Sequence, residues 1–133
     1  MTFSSVKRHY VRTEETGSED LNVSKTVTLK NYPQFDNVYK NGRSFANRIL
    51  VMYVLANDLE YNRLGISVSK KIGNSVVRHR ITRLVREAYR ITGGMFNSGL
   101  DIVVVARAGA RGRGYFDVRD AMLHLAGLHK ILR

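Results

Sequence analysis

The densest run of chemically useful side chains in this sequence is basic. Between Lys70 and Arg90 there are seven lysines or arginines and a single acid, Glu87. The cations and the one histidine of this run are Lys70, Lys71, Arg78, His79, Arg80, Arg83, Arg86 and Arg90. Phosphate contacts made by such side chains dominate the affinity of proteins for nucleic acids. The run therefore predicts a surface that binds a polyanion.

Most of this run has the period of a helix. Asn74 or Ser75 can serve as its N-cap, and Gly93-Gly94 supplies a stop. Apolar residues at i, i+4, i+7, i+8 and i+11 share one side: Val77, Ile81, Leu84, Val85 and Ala88. The cations take the other side or its flanks, and several lie near the positive end of the helix dipole, where they are unfavourable. A solvated basic face is the simpler interpretation, but this density and placement of arginine favour a bound polyanion.

Catalysis by protein side chains would need clustered carboxylates for metal ions or paired histidines for acid–base work. The acids of the predicted domain are scattered: Asp36, Asp58, Glu60, Glu87, Asp101, Asp117 and Asp120. His124 and His129 are five residues apart, off the i, i+4 spacing of ligands that share a helix face. There is no cysteine, and KKIGNS lacks the Gly-Lys-Ser/Thr end of a P-loop. We therefore predict no catalytic residue and no metal site in the protein.

Length and charge narrow the class of protein. The chain has 133 residues, enough for one domain with a real core, and a formal net charge of +11. Such a charge points first to nucleic acid and second to an anionic membrane. The longest apolar run, residues 49–56, is too short to span a bilayer, and no apolar h-region follows Met1, so we expect no signal peptide. We expect a cytoplasmic protein with no membrane partner.

The elements predicted around the basic helix are a short helix at 33–40, strands at 44–48, 49–56, 63–69 and 101–107, and a C-terminal helix at 116–132. The last helix should bury Val118, Met122, Leu125, Leu128 and Leu132. This order predicts an α+β fold, an α/β sandwich with one roughly four-stranded sheet and helices packed on it. Residues 1–28 have no net charge and few apolar residues, so we expect a poorly ordered N-terminal extension before an RNA-binding domain at 29–133.

Several segments together resemble one family. SVSKKIGNSVVRHRITRLVREAYR is similar to the signature region of the bacterial ribonuclease P protein subunit. QFDNVYKNGRSFANR, RLGISVSKKIGN and DIVVVAR match further elements of that family, so the resemblance runs from about residue 29 to residue 133. Two positions depart from the family pattern: His79 stands where asparagine is usual, and Thr82 where lysine is common.

The resemblance implies a division of labour. In this family the RNA subunit uses magnesium to hydrolyse the 5′ leader from precursor tRNA, and the protein binds that RNA through the arginine helix. The protein also contacts the single-stranded leader in a cleft between its first helix and the sheet. The positions that match this cleft are Phe35, Tyr39, Asn47, Arg48 and Tyr53, with Arg107 a weaker candidate. We thus expect two partners, the ribonuclease P RNA subunit and precursor tRNA, with the protein monomeric outside the holoenzyme.

The resemblance also implies a ribosomal-protein-like fold with an unusual left-handed βαβ crossover around the arginine helix, where the general rule predicts a right-handed one. Alternatives remain open. On pattern alone Phe35, Tyr39 and Tyr53 are core residues, and GARGRG at 109–114 is either an RNA-binding arm or a flexible loop. A ribosomal or other structural RNA-binding protein fits the composition. A helix-turn-helix protein reading DNA with residues 75–90 is disfavoured, because a strand precedes that helix.

Overall fold

The computed structural model describes residues 10–11 and 26–133. One mixed sheet forms the centre of these residues, with its strands in the order β1-β4-β5-β3-β2. The strands are β1 Tyr10–Val11, β2 Arg43–Ala46, β3 Leu50–Ala56, β4 Arg63–Ser67 and β5 Leu100–Ala106. The helices are α1 Tyr32–Asn41, α2 Ser75–Thr92 and α3 Tyr115–His129, with short 3-10 turns at Gly93–Met95 and Ala108–Ala110. The predicted α+β sandwich is confirmed, with four strands inside residues 29–133 and the two-residue β1 beside them.

Both faces of the sheet are covered by helices. On β3, Val51 packs with Phe35 and Val38 of α1, and Tyr53 lies against the same cluster. The alternate residues Leu50 and Met52 belong to the larger core that α2 and α3 close. A central strand that is buried on both faces has apolar residues at consecutive positions. For this reason residues 49–56 show no alternation of apolar and polar residues.

Helix α2 begins and ends where its caps predict. The side chain of Asn74 accepts a hydrogen bond from the Val77 nitrogen at 3.0 Å, and Gly93 follows the last helical residue. Ile81, Val85 and Ala88 are buried as expected, while Val77 and Leu84 are only partly buried at the margin of that face. The core side also includes Thr82, which is 2% exposed and donates its hydroxyl to the Arg78 carbonyl at 2.9 Å. The departure from the family pattern at Thr82 therefore faces the protein interior.

Strands β4 and β5 are parallel neighbours, and α2 connects them. Arg63 pairs with Asp101 at the start of both strands, and Ser67 pairs with Val105 near their ends. The carboxyl ends of the two strands therefore meet at one end of the sheet, where α2 also begins. The left-handed sense of this crossover stays a prediction.

Helix α3 is shorter than predicted. It ends at His129, because Lys130 adopts the left-handed conformation with φ 59° and ψ 40°. The reversal turns the chain so that Ile131 packs into the core and Leu128 stays 42% exposed. The predicted inward position of Leu128 is therefore wrong, and Leu132 packs from beyond the helix.

The predicted extension at residues 1–28 lies mostly outside the described residues. Of its described part, Tyr10–Val11 pairs antiparallel with Ile66 and Ser67 on the outer edge of β4. Closer to the domain, the Leu64 nitrogen donates to the Val27 carbonyl at 2.8 Å, and the Leu29 nitrogen donates to the Leu64 carbonyl at 2.9 Å. In the part of the chain that the structure describes, no helix is both long and apolar enough to cross a membrane.

Candidate nucleic-acid interfaces

Basic residues gather at the end of the sheet where β4 and β5 finish. Lys70 and Lys71 follow β4, both exposed, and Arg107 follows β5. Arg107 donates from its guanidinium to the Asn47 carbonyl at 2.9 Å, which brings the β2–β3 turn and Arg48 to the same end. The Arg48 backbone packs so tightly against Gly109 that a side chain there would not fit. Four cations from three separate loops thus lie at the end of the sheet where α2 begins.

The predicted arginines of α2 have different surroundings. His79, Arg80 and Arg83 are exposed, and Arg78 and Arg86 are partly buried. Arg80 donates to the Arg113 carbonyl at 2.8 Å, and the buried Arg86 Nε finds no hydrogen-bond partner among the described residues. Arg90, one further turn along, pairs with Glu87 at 2.5 Å. The exposed arginines of α2 are therefore Arg80 and Arg83, both in the first half of the helix.

Acidic residues concentrate at the opposite end of the sheet. Asp101, at the start of β5, accepts two hydrogen bonds from the Arg63 guanidinium, each 2.7 Å long, and one from Asn57 at 2.9 Å. Asp58 and Glu60 lie in the β3–β4 turn at that same end. Arg43, Arg63 and Arg133 lie at this end too, so its charge is roughly balanced, whereas the other end is strongly basic. The resulting field attracts a polyanion to the basic end.

The three aromatic residues predicted to line the leader cleft do come together, on the α1 side of the sheet. The Tyr39 and Tyr53 ring centroids are 4.9 Å apart with an interplanar angle of 80°, and Phe35 lies 6.5 Å from Tyr39. Phe35 is 1% exposed and Tyr39 is 4% exposed, whereas Tyr53 is only partly buried. Burial raises the pKa of the Tyr39 phenol, and a hydrogen bond with the Ser67 side chain opposes that rise. Of the three rings, Tyr53 has the most surface open to a ligand.

The polar residues predicted for the cleft lie beyond the first residue of β3, in the β2–β3 turn and just after β5. Asn47 shapes the turn: its side-chain oxygen accepts from the Ile49 and Leu50 nitrogens at 3.1 and 2.9 Å, and its amide donates to the Ala121 carbonyl at 3.0 Å. Arg107 pairs through its backbone with Ile49, four residues from Tyr53, which is about 13 Å along a strand. The structure therefore separates an aromatic group from a basic group, and Asn47 positions the basic one.

Two features of the structure are not predicted by the sequence patterns. One is the buried Arg63–Asp101 pair, whose members are far apart in the chain and carry no local pattern. The other is Phe116, which is 66% exposed and lies beside Arg119 and the segment 109–114. That segment begins in a 3-10 turn, and the Arg113 guanidinium donates to the Gly109 carbonyl at 3.1 Å, while its role as an RNA-binding arm stays a prediction. The Gly-Arg repeat was the only signal for it.

Metal binding by the protein has no support in the described residues. No three histidine, cysteine, aspartate or glutamate side chains there come close enough together to hold an ion. A cavity of about 220 Å³ lies at the acidic end of the sheet, beside Tyr61, Tyr89 and Arg133. Among the predicted site residues, only Arg90 lines it.

The helix-covered mixed sheet and its strongly basic end define a small α+β protein of the nucleic-acid-binding class. Comparison with known proteins is more specific. The sequence profile of the Ribonuclease P family matches residues 23–130. The ribonuclease P protein component of Lachnoclostridium phytofermentans is 66% identical over 105 residues, which cover 79% of this chain and 90% of that protein. That of Alkaliphilus metalliredigens is 45% identical over 104 residues, covering 78% and 94%.

Solved structures agree with this match. The Staphylococcus aureus RNase P protein superposes with a TM-score of 0.74 at 34% identity, covering 82% of this chain and 100% of that one. The Thermotoga maritima RNase P protein superposes with a TM-score of 0.70 at 32% identity, covering 74% and 94%. The chain belongs to the ribonuclease P protein component family.

Proposed function

We propose that this chain is the protein subunit of a ribonuclease P holoenzyme, which removes the 5′ leader from precursor tRNA in the cytoplasm. Membership of the ribonuclease P protein component family supports a role in the removal of this leader. The observation that supports the binding mode is the set of exposed cations at one end of the sheet, Arg48, Lys70, Lys71 and Arg107, whereas Asp101 at the other end is neutralised by Arg63.

The RNA subunit is proposed to bind along α2. His79, Arg80 and Arg83 are exposed there, and Arg78 and Arg86 flank them. Each arginine that meets a phosphate releases condensed counterions, so binding gains entropy and becomes sensitive to salt.

The leader of precursor tRNA is proposed to lie on the α1 side of the sheet. Tyr53 offers a ring on which a base can stack. The buried Tyr39 ring packs against the Tyr53 ring, and Phe35 packs against Tyr39. Arg48 and Arg107, about 13 Å along β3 from Tyr53, would neutralise phosphates further along the same strand. Stacking and phosphate contacts tolerate any sequence, as a subunit that handles many leaders requires.

The side chains of the protein do not carry out the hydrolysis. Three of the described acids pair with arginines, Asp101 with Arg63, Glu87 with Arg90 and Asp120 with Arg119, and no three described acids or histidines cluster. These residues do not fit a magnesium site. Magnesium would instead be held by phosphates of the RNA subunit and would supply the hydrolytic chemistry there. The side chains of this protein bind and orient the two RNAs.

Reconstitution tests this proposal. The purified protein, a ribonuclease P RNA and a precursor tRNA with a labelled leader are combined with magnesium at moderate salt. We expect the protein to increase leader cleavage by the RNA and to cleave nothing on its own. Tight RNA binding with no gain in cleavage would favour a structural RNA-binding role, and robust cleavage by the RNA-free protein, after removal of contaminating nucleases, would overturn the assignment of chemistry to the RNA.

A further inference from the structure

Phe116, in the first turn of α3, is 66% exposed, more than any other phenylalanine or tyrosine side chain that the structure describes. Burying such a side chain stabilises a fold, and this fold leaves it in solvent. A single exposed apolar residue is ordinary. Its neighbours are what distinguish this one.

Two side chains hold the Phe116 ring in place. The Arg119 guanidinium carbon lies over the ring, 4.8 Å from its centroid, and the Tyr115 ring is nearly perpendicular to it at 5.3 Å. Arg119 also pairs with Asp120 at 2.8 Å, which fixes the guanidinium in turn. The exposed fraction of Phe116 leaves a ring surface open beside a positioned cation.

The segment before α3 adds two further arginines. Arg111 is exposed, and Arg113 is anchored through its Nε to the Gly109 carbonyl at 3.1 Å. Gly112 has φ +73°, a conformation that glycine adopts without strain and that lets the loop turn tightly between the two arginines. The loop therefore presents its cations from a defined backbone.

This surface is continuous with the arginine helix. Arg80 of α2 donates to the Arg113 carbonyl at 2.8 Å, so α2 and the loop are in direct contact. Arg80, Arg111, Arg113 and Arg119 stand against two nearby acids, Asp117 and Asp120, which leaves an excess of two positive charges. Asp117 is also engaged, because it accepts a hydrogen bond from the Gly114 nitrogen at 3.4 Å.

We propose that Arg111, Arg113, Phe116 and Arg119, which we call the Phe116 platform, bind an unpaired nucleotide of the RNA subunit next to the segment held by α2. This inference rests on the proposed function. An exposed ring with cations beside it suits an unpaired nucleotide, since the base stacks on the ring and the phosphate meets an arginine. A base-paired helix offers no free base face to the ring.

The test compares exposed residues at two ends of α3. Phe116→Ala removes the ring, Phe116→Trp keeps a stacking face, and Leu128→Ala truncates another exposed apolar residue twelve positions away, about 18 Å along the helix. Affinity for ribonuclease P RNA is measured for each variant, and affinity for precursor tRNA is measured with the reconstituted holoenzyme. Thermal melting checks the fold, which should not change because both side chains are exposed.

We expect Phe116→Ala to bind the RNA subunit at least about fivefold more weakly, with Phe116→Trp and Leu128→Ala close to the unchanged protein. A photo-crosslinker at position 116 should react with an unpaired nucleotide of that RNA. Three results would overturn the inference: unchanged affinity for Phe116→Ala, equal losses for Leu128→Ala, or a loss confined to precursor tRNA. If the unchanged protein neither binds ribonuclease P RNA nor increases cleavage, the proposed function itself is wrong, and the inference about the Phe116 platform is wrong with it.

Discussion

The ring of Tyr39 meets the ring of Tyr53 nearly at a right angle, with the two centroids 4.9 Å apart. Tyr39 is almost fully buried, and Tyr53 is open to solvent on one side of the sheet. The buried ring supports the open one, so the two should respond differently to truncation.

Tyr53→Ala should weaken precursor tRNA binding by the holoenzyme about tenfold and leave mature tRNA binding nearly unchanged. Base–aromatic stacking contributes roughly 1–3 kcal/mol, about 1.4 kcal/mol is tenfold in affinity, and mature tRNA has no leader. Tyr53→Phe should lose little, because the stacking face remains. Tyr39→Ala should instead lower the melting temperature, since a large buried ring is removed. Equal losses for both RNAs in a normally melting Tyr53→Ala variant would rule out this leader contact.

The arginines of α2 predict a salt dependence. Replacing Arg78, Arg80, Arg83 and Arg86 by alanine should reduce the slope of log affinity against log salt for the RNA subunit, by about 0.7–0.9 for each phosphate contact removed. The comparison is Lys40→Ala, which removes a single positive charge on α1, across the sheet, where the exposed lysine pairs with Asp36. A slope that the quadruple variant leaves intact would place the RNA subunit elsewhere on the protein.

The buried pair at the start of β5 predicts a large cost in stability. Asp101→Ala should lower the free energy of unfolding by about 3–5 kcal/mol, because it leaves Arg63 partly buried without its carboxylate. Asp120→Ala is the matched control, since its pair with Arg119 is exposed and such pairs contribute about 1 kcal/mol or less. Urea unfolding measures both. Similar small losses would mean that the pair contributes little to stability.

His129 predicts how stability depends on pH. Burial lowers the pKa of its imidazole, the nearby charge of Arg43 lowers it further, and the 2.8 Å hydrogen bond to the Met52 carbonyl partly offsets these effects. The unfolded chain therefore binds this proton more readily than the folded one. The contribution to stability is complete above about pH 6.5 and is lost as the pH falls through the lower pKa of the folded protein.

Urea unfolding from pH 7.5 to 5 should show this loss in the unchanged protein and a smaller one in His129→Gln, whose amide can still donate to the Met52 carbonyl. His79→Gln, at an exposed position of α2, should keep the full pH dependence. A His129→Gln variant with an unaltered pH profile would contradict the assignment.

Local rules were sufficient for much of the fold. Asn74 marked the start of α2 because an N-cap acts through neighbouring backbone groups, and the apolar residues of β3 and β5 marked buried strands because burial on both faces leaves no polar positions. The end of α3 was not predictable in this way. The left-handed Lys130 has no glycine to signal it, and the choice of Ile131 over Leu128 as a core residue depends on packing against distant elements.

The candidate sites show the same difference between features set by local sequence and features set by contacts between distant residues. The arginine helix was visible because its charge lies in one continuous segment. The grouping of Arg48 with Arg107 arises from the turn geometry, and that of Arg80 with Arg113 arises from the contact between α2 and the segment 109–114. The burial of Phe35 and Tyr39, which shifts the predicted leader contact toward Tyr53, depends on how α1 lies on the sheet.

The pairing along the outer side of β4 has a consequence for self-association. Residues of β4 are almost all buried, so an open edge there would offer an apolar strand with unpaired backbone groups, the usual template for adding a strand from another copy. The backbone of Val27 and Leu29 occupies this edge at Leu64, and Tyr10–Val11 occupies it at Ile66 and Ser67. The other edge is the four-residue β2, which begins with the charged Arg43. A truncation that removed residues 1–29 would therefore expose β4 as an unpaired edge strand. The truncated protein would aggregate through this edge although its RNA-binding surfaces were still folded.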